Sequence, residues 1–256
     1  MSERQLTVGV LGGMGPDATV DFMAKVIALT PAERDQDHIR MIVEHNPKVP
    51  NRQAAIRSGE PEVGRLLAQM ARSLEAAGAD FLVMPCNSAH AFVDPIRQAA
   101  AIPLVSIIAE SVREIGRAMP GARRAGLLAT DGLQEAGLYQ QALVRAGHAP
   151  VLLEKEALGR LMNLINRVKA GDRSEDVGRG MQTLVDSLAA RGAELVIAAC
   201  TEIPLVLRAA DLDVPLIAST DILARRTVEL ATRAAPLPTR EQPEWRAPEG
   251  ETGGGR

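Results

Sequence analysis

Short apolar runs alternate with longer amphipathic stretches along most of the chain. The apolar runs have the length and composition of strands that are buried on both faces of a sheet, and the stretches between them show helical spacing. Strands are predicted at Leu6–Leu11, Arg40–Glu44, Phe81–Met84, Leu104–Ile107, Arg124–Ala129, Pro150–Leu153, Glu194–Ala199 and Val214–Ala218. Helices are predicted at Asp17–Leu29, Glu62–Ala77, Ala89–Ala100, Glu110–Met119, Leu133–Ala146, Ala157–Lys169, Glu175–Ala190 and Ile222–Ala235. This alternation predicts an α/β protein with mainly parallel sheets.

The second half of the chain repeats the pattern of the first half. The segment GADFLVMPCN at 78–87 resembles GAELVIAACT at 192–201, and in both segments a cysteine stands eight positions after the glycine. The run VGVLG at 8–12 likewise resembles AGLLA at 125–129. We therefore predict two pseudo-symmetric three-layer α/β domains with an inter-domain cleft. The first domain is expected to comprise residues 1–115 with 220–235, and the second residues 116–219.

The C-terminal 236–256 segment has a different composition. It contains four Pro and four Gly and almost no aliphatic side chains. Such a segment cannot bury enough apolar surface to fold, so a disordered tail is predicted.

Charge and composition argue against several classes of protein. The net charge of −3 and the five aromatic residues argue against nucleic acid or an anionic membrane as the main partner. No run of 18 apolar residues occurs, and the N-terminal sequence lacks a secretion leader, so a cytoplasmic protein is expected. Two cysteines are too few for a disulfide framework, and free thiols are expected.

Both cysteines lie where an open α/β sheet normally binds its ligand. Cys86 and Cys200 each follow a predicted strand, and Asn87-Ser88 and Thr201-Glu202 come directly after them. The carboxyl ends of parallel strands form the ligand crevice, and a helix N-terminus after each cysteine would favour the thiolate. One cysteine from each half suggests two acid/base groups on opposite sides of a substrate, as inversion at carbon requires. A pair of inert core cysteines is the alternative.

Charged residues and glycines near the predicted cleft favour recognition of a small carboxylate. The segment from Gly13 to Ala18 matches a permissive dinucleotide pattern, but Asp17 would face the pyrophosphate, so we expect backbone N–H groups that approach a carboxylate instead. Two prolines stiffen the loop before Arg52, which suits bidentate carboxylate binding, although a solvated surface arginine is the alternative. Lys169 could reach the cleft or merely complement a helix dipole.

The histidines do not predict a metal site. None of the four has Cys or acidic ligands at motif spacing. His90 stands four residues after Cys86, and we expect it to orient polar groups beside the cysteine.

These motifs resemble those of the aspartate/glutamate racemase superfamily and, within it, the aspartate racemases. The motifs are Gly12–Pro16, Arg34–His38, Asn46–Arg52, Pro85–His90, Gly137–Tyr139, Val168–Gly171 and Ala199–Glu202, within a resemblance that extends from residue 6 to about 230. The resemblance implies a racemase that needs neither pyridoxal phosphate nor a metal and has no other cofactor. It also implies a small acidic amino acid, aspartate or glutamate, as the substrate, and a homodimer.

The resemblance further implies a role for each site residue. Cys86 and Cys200 would be the two bases, with Cys86 acting on the D-enantiomer and Cys200 on the L-enantiomer. The other residues would bind substrate: Asn87, Ser88 and Thr201 the α-carboxylate, Arg52 and Lys169 the side-chain carboxylate, with Met14, Thr130 and Glu202 completing the site. Asn51 stands where the branch usually has Asp, Ser88 where Thr is commoner, and Asp131 where a second Thr is common. These departures leave the exact amino acid open.

Two other functions compete with racemisation. A decarboxylase or cis–trans isomerase of a small dicarboxylate belongs to the same superfamily, but relatives of the decarboxylase type keep one cleft cysteine where this chain has two. A non-catalytic small-ligand binding protein also fits two similar lobes around a cleft. Solute-binding proteins of that kind carry a secretion leader, which the N-terminal sequence lacks.

Overall fold

Residues 4–238 are described by the structure, a computed structural model, and they contain two four-stranded parallel sheets. The first sheet has the order β2-β1-β3-β4, and the second has the order β6-β5-β7-β8. The strands are β1 (Val8–Gly12), β2 (Met41–His45), β3 (Phe81–Val83), β4 (Leu104–Val105), β5 (Arg124–Leu128), β6 (Ala149–Leu152), β7 (Leu195–Ala198) and β8 (Leu216–Ala218). The predicted α/β class with parallel sheets is confirmed, and both halves have the same strand order, as the repeat indicates.

Helices connect these strands and cover the sheets. Within residues 4–238 the α-helices are α1 (Pro16–Leu29), α2 (Arg52–Ser58), α3 (Glu62–Ala76), α4 (Val93–Ala99), α5 (Ile107–Ala118), α6 (Asp131–Glu135), α7 (Leu138–Arg145), α8 (Lys155–Lys169), α9 (Glu175–Ala190) and α10 (Ser219–Ala231). Short 3₁₀ helices follow both cysteines, at Ser88–Phe92 and Ile203–Leu205. No helix in this described range is long and apolar enough to cross a membrane.

Alternate residues of the central strands face two different apolar cores. In β5, Ala125 and Leu127 join a large core shared by both halves, whereas Leu128 packs on the other face under α8 and α9. In β1, Val10 joins the shared core and Leu11 packs under α3 and α4. A parallel sheet covered on both faces requires apolar residues at every position, which explains the continuous apolar runs in the sequence.

Two glycines at equivalent strand positions show that the halves pack alike. A Cβ at Gly9 would stand 2.8 Å from Leu82 and 2.9 Å from Ala79, and a Cβ at Gly126 would stand 3.0 Å from Val196 and 3.1 Å from Ala193. Each glycine therefore lets a neighbouring strand and the turn before that strand approach closely.

One helix of the structure was not predicted, and two predicted helices take a different form. Helix α2 begins at Arg52, directly after the predicted loop, because the Asn51 side chain caps the helix by accepting from Ala54 N and Gly59 ends it at φ 71°. The predicted helix over 133–146 is divided into α6 and α7 at Gly137, whose φ of 67° does not continue a helix. The predicted helix over 89–100 begins as a 3₁₀ turn and becomes α-helical at Val93.

The two predicted domain ranges remain a prediction. Helix α5 continues through residue 115, and α10 packs against α1 and α5, so side chains of both halves contribute to the shared core. Of the tail predicted from residue 236, Leu237 packs against the shared core, and residues 239–256 lie outside the described residues.

Candidate active site

Cys86 and Cys200 line one small cavity between the two halves, which we call the inner cavity. Cys86 follows β3 and Cys200 follows β7, so the two sheets present equivalent strand ends to each other. The inner cavity is lined by Met14, Arg52, Gln53, Cys86, Asn87, Ser88, Lys169, Ala199, Cys200, Thr201 and Glu202. Nine of the ten predicted site residues are in this set. The tenth, Thr130, lies directly behind it, with its Oγ1 3.1 Å from Ser88 Oγ.

The inner cavity is nearly closed. Its volume is about 10 Å³, which is about the room that one water molecule needs. An amino acid is much larger, so residues that line the inner cavity must move before one can enter. A second space of about 320 Å³, the outer cavity, adjoins it and shares Arg52, Lys169 and Glu202 as a common wall.

Cys200 is hydrogen-bonded to the carboxylate of Glu202. The thiol Sγ donates to Glu202 Oε2 at 2.9 Å, and Lys169 Nζ lies 4.0 Å from Glu202 Oε1. Burial raises the pKa of the Cys200 thiol well above its ordinary value, the charge of Glu202 raises it further, and Lys169 opposes the rise. The sequence-based expectation of a favoured thiolate is therefore wrong for Cys200. The helix that follows it is a three-residue 3₁₀ turn that supplies little dipole, and a carboxylate is adjacent.

The backbone of Cys86 is held by a buried neutral histidine. His90 Nδ1 lies 2.9 Å from the Cys86 carbonyl oxygen, and Ile107 N–H donates to Nε2 at 3.3 Å. Since Nε2 accepts, the ring proton is on Nδ1 and is donated to Cys86. Burial lowers the pKa of His90 to about 4, so the ring is uncharged at neutral pH. His90 positions the cysteine, and among residues 4–238 no group of three or more His, Cys, Asp or Glu side chains could hold a metal.

Asn87 is oriented by residues of the second half. Tyr139 Oη donates to Asn87 Oδ1 at 2.8 Å, and Asn87 Nδ2 donates to Ser219 Oγ at 3.0 Å. Ser219 in turn donates to the carbonyl of Ala198, at the end of β7. All of these side chains are buried, and burial raises the pKa of the Tyr139 hydroxyl, which keeps it a neutral donor.

Gln53 is a site residue that sequence reasoning missed. Its Nε2 donates to Ser88 Oγ at 3.3 Å, so Gln53 belongs to the same polar network as Ser88 and Thr130. A Cβ at Gly132 would stand 2.9 Å from Gln53 Cα, so only glycine lets α6 approach α2 this closely. The capping signal at Asn51 would have found α2 and with it the position of Gln53.

Arg52 is the first residue of α2, and backbone carbonyls hold its guanidinium. Nη1 donates to Val49 O at 3.1 Å and to Pro50 O at 2.9 Å, and Nη2 lies 3.4 Å from Met14 O. Its Nε is buried without a hydrogen-bond partner among the described residues. A buried unpaired donor of a cation suits an anionic ligand, so Arg52 is not a solvated surface arginine. Asn51, by contrast, is exposed and outside the cavity lining.

The glycine loop after β1 does not present all of its N–H groups to a ligand. Gly13 N–H donates to Thr19 Oγ1 at 2.8 Å, so the expectation of a carboxylate-binding loop is wrong at this position. Gly13 has φ of 91°, and a Cβ there would stand 2.5 Å from the backbone of Asn46. A Cβ at Gly15 would stand 3.0 Å from Glu202 Oε1. The loop therefore packs closely against Asn46 and Glu202, and it does not serve anion binding at Gly13.

Comparisons with known proteins identify racemases as relatives of this chain. The sequence profile of the Asp/Glu/Hydantoin racemase family matches residues 11–227. The broad specificity amino-acid racemase RacX of Bacillus subtilis (strain 168) is 30% identical over 226 residues, which cover 86% of this chain and 96% of that protein. The solved structure of Picrophilus torridus aspartate racemase is 25% identical with a TM-score of 0.79, covering 91% of this chain and 96% of that one. An aspartate racemase homologue from Pyrococcus horikoshii OT3 is also 25% identical, with a TM-score of 0.73 over 88% of this chain and 99% of that one.

Proposed function

The chain belongs to the Asp/Glu/Hydantoin racemase family, and from that premise we propose that it racemises a small acidic amino acid, aspartate or glutamate, through Cys86 and Cys200. The observation that carries the proposal is the meeting of two buried thiols, one from each half, in one cavity that also contains two cationic side chains. No cofactor is needed in this proposal, because the two thiols supply both the base and the acid.

Racemisation needs one thiolate and one thiol on opposite faces of the α-carbon. The thiolate removes the α-proton from one face, and the thiol delivers its own proton to the other face. Because burial and Glu202 raise the pKa of Cys200, Cys200 keeps its proton in the resting site and begins as the acid. For the opposite direction Cys200 must become the base, and Glu202 Oε2 is in hydrogen-bond contact to receive its proton.

The remaining side chains fit the two carboxylates of the substrate. Asn87, Ser88 and Thr201 are hydroxyl or amide groups beside the cysteines, which suits the α-carboxylate. Arg52 and Lys169 are the cations of the cavity wall, which suits a side-chain carboxylate. The presence of both cysteines favours racemisation over decarboxylation within the superfamily.

Two further expectations belong to the proposal. We propose that the protein is a homodimer and acts in the cytoplasm, whose reducing conditions would keep both thiols free. Light scattering behind size exclusion tests the dimer.

Incubation with each L-amino acid in deuterium oxide tests the function. Without added pyridoxal phosphate and in the presence of EDTA, L-aspartate or L-glutamate should become a mixture of enantiomers, and the D-product should carry deuterium at the α-carbon. Chiral chromatography with mass spectrometry measures both. Recovery of unlabelled, unchanged L-amino acid in every incubation would contradict the proposed function.

Arg52→Ala is expected to impair acidic substrates selectively. The loss of a charge-assisted contact of about 1.5–3 kcal/mol should lower kcat/KM for aspartate or glutamate by about 10- to 100-fold. Neutral amino acids of similar size should be much less affected. Arg52→Lys is the control that keeps the positive charge but lacks the two-pronged guanidinium group. Because Arg52 also donates to the carbonyls of Val49 and Pro50, thermal unfolding shows whether the substitution destabilises that loop. Equal losses of kcat/KM for acidic and neutral substrates would indicate that Arg52 has only a structural role.

Tyr139→Phe is expected to displace Asn87. The substitution leaves the buried Oδ1 of Asn87 without its donor, which should cost about 1–3 kcal/mol of unfolding free energy. Misplacement of a group beside Cys86 should also lower kcat, by up to about 100-fold. Thr227→Val is the matched control, because it removes a buried hydroxyl bonded within α10, away from the cavity. Urea denaturation and initial rates separate the two effects, and a control with the same rate loss would contradict a role for Asn87.

A further inference from the structure

The outer cavity lies directly outside the wall that holds the proposed side-chain carboxylate. It is lined by Gly13, Gly15, Pro16, Asp17, Pro47, Arg52, Val168, Lys169, Arg173 and Glu202. Three cations, Arg52, Lys169 and Arg173, face two carboxylates in this lining, so it has a positive excess of one. Its volume of about 320 Å³ contrasts with about 10 Å³ in the inner cavity.

The position of the substrate's α-carbon determines which substrate side chains are long enough to reach the outer cavity. The α-carbon must lie between Cys86 and Cys200, both of which line the inner cavity and not the outer one. A side chain that grows away from the thiols toward Arg52 and Lys169 arrives at the shared wall. A chain longer than that of aspartate would then extend past these residues toward the outer cavity.

Arg173 is the cation on the far side of the shared wall. Its Nη1 donates to Val168 O, and its Nη2 lies 2.5 Å from Asp17 Oδ2, which belongs to α1 in the other half of the chain. The Asp17 side chain is 65% exposed, and such surface ion pairs contribute little net free energy. Arg173 can therefore exchange Asp17 for another carboxylate at small cost.

We propose, on the basis of the proposed function, that Arg173 is a specificity-determining residue. It binds the distal carboxylate of acidic amino acids whose side chains are longer than that of aspartate, such as glutamate and 2-aminoadipate. The outer cavity is the subsite for this part of the substrate, and Asp17 occupies Arg173 until such a carboxylate replaces it.

Racemisation rates of paired variants test the subsite. Arg173→Gln should lower kcat/KM for glutamate and 2-aminoadipate by roughly tenfold or more, and change kcat/KM for aspartate and glutamine by less than about threefold. Asp17→Asn breaks the same ion pair but keeps Arg173. Arg173 is then free to bind the substrate, so kcat/KM for glutamate should stay unchanged or rise. Arg179→Gln, at an exposed arginine of α9 paired with Glu175, is the matched surface control.

Two results in the racemisation rates would overturn the subsite. One is an Arg173→Gln loss of equal size for all four substrates. The other is an Asp17→Asn variant that shows the same losses of kcat/KM as Arg173→Gln. The losses would then come from breaking the ion pair and not from losing a substrate contact of Arg173. If the wild-type protein racemises none of these amino acids, the proposed function fails separately. In that case, calorimetric binding of glutarate and succinate tests the subsite. Arg173→Gln should weaken glutarate binding roughly tenfold and succinate binding by less than about threefold. Equal weakening of both ligands would contradict the subsite.

Discussion

Replacing either cysteine with serine is expected to abolish racemisation and to leave proton exchange on a single enantiomer. Cys86 and Cys200 come from different halves and line the same cavity. In the proposed mechanism each thiol serves one face of the α-carbon. Serine is far less acidic than cysteine and cannot act as the base, so the racemisation rate should fall by about 10³-fold or more. The remaining thiol can still remove and return a proton on its own face, with retention of configuration.

The two serine variants should differ in the enantiomer that they label. In deuterium oxide, Cys86→Ser should exchange the α-proton of the L-form, and Cys200→Ser that of the D-form. The double variant should exchange neither, and its circular dichroism and thermal unfolding control for folding. Mass spectrometry after chiral separation provides the readout. Racemisation near the wild-type rate in either single variant would contradict the two-base mechanism and indicate that the cysteines are inert core residues.

Replacing Glu202 with glutamine is expected to slow proton exchange at Cys200 and not at Cys86. In the Cys86→Ser background, Glu202→Gln should lower exchange on the L-enantiomer by about 100-fold or more at neutral pH. The Cys200 thiol donates to Glu202 Oε2, so its proton can move to the carboxylate without adding a net charge to a buried site. Glutamine has the same size and can accept a hydrogen bond, but it cannot take up the proton.

The residual exchange of this variant should depend steeply on pH. Burial, the largest cause of the raised pKa of Cys200, remains when the charge of Glu202 is removed. Below that pKa the thiolate fraction grows about tenfold per pH unit, so exchange should rise from neutral to alkaline pH and fall toward acid. A rate that is flat over this range would show that thiol ionisation does not limit the variant.

The Cys200→Ser background provides the matched control for Glu202. There, Cys86 is expected to act on the D-enantiomer, and Glu202→Gln should change the exchange of that enantiomer by less than about threefold. Equal losses in both backgrounds would assign Glu202 to substrate binding, the role that the family resemblance implies, rather than to proton transfer at Cys200.

The sequence alone determined the class of the fold and indicated which strand ends form the candidate site. Strands such as β1 and β5 are apolar at every position because both of their faces are covered, and that property is visible without a structure. The repeat around Cys86 and Cys200 also predicted equivalent strand ends, since the carboxyl ends of parallel strands always share one edge of a sheet. Helix α2 was not predicted, although Asn51, the residue that caps it, is a helix-start signal in the sequence.

Only the tertiary structure decided how the site residues act on one another. The contact of Tyr139 with Asn87 joins positions 52 residues apart, and the pair of Arg173 and Asp17 joins positions 156 residues apart. The raised pKa of Cys200 likewise depends on burial and on where the Glu202 carboxylate points, and neither is set by sequence spacing. Such contacts arise only when distant segments are packed together, because desolvation and hydrogen-bond geometry are properties of the folded surroundings and not of the residue types.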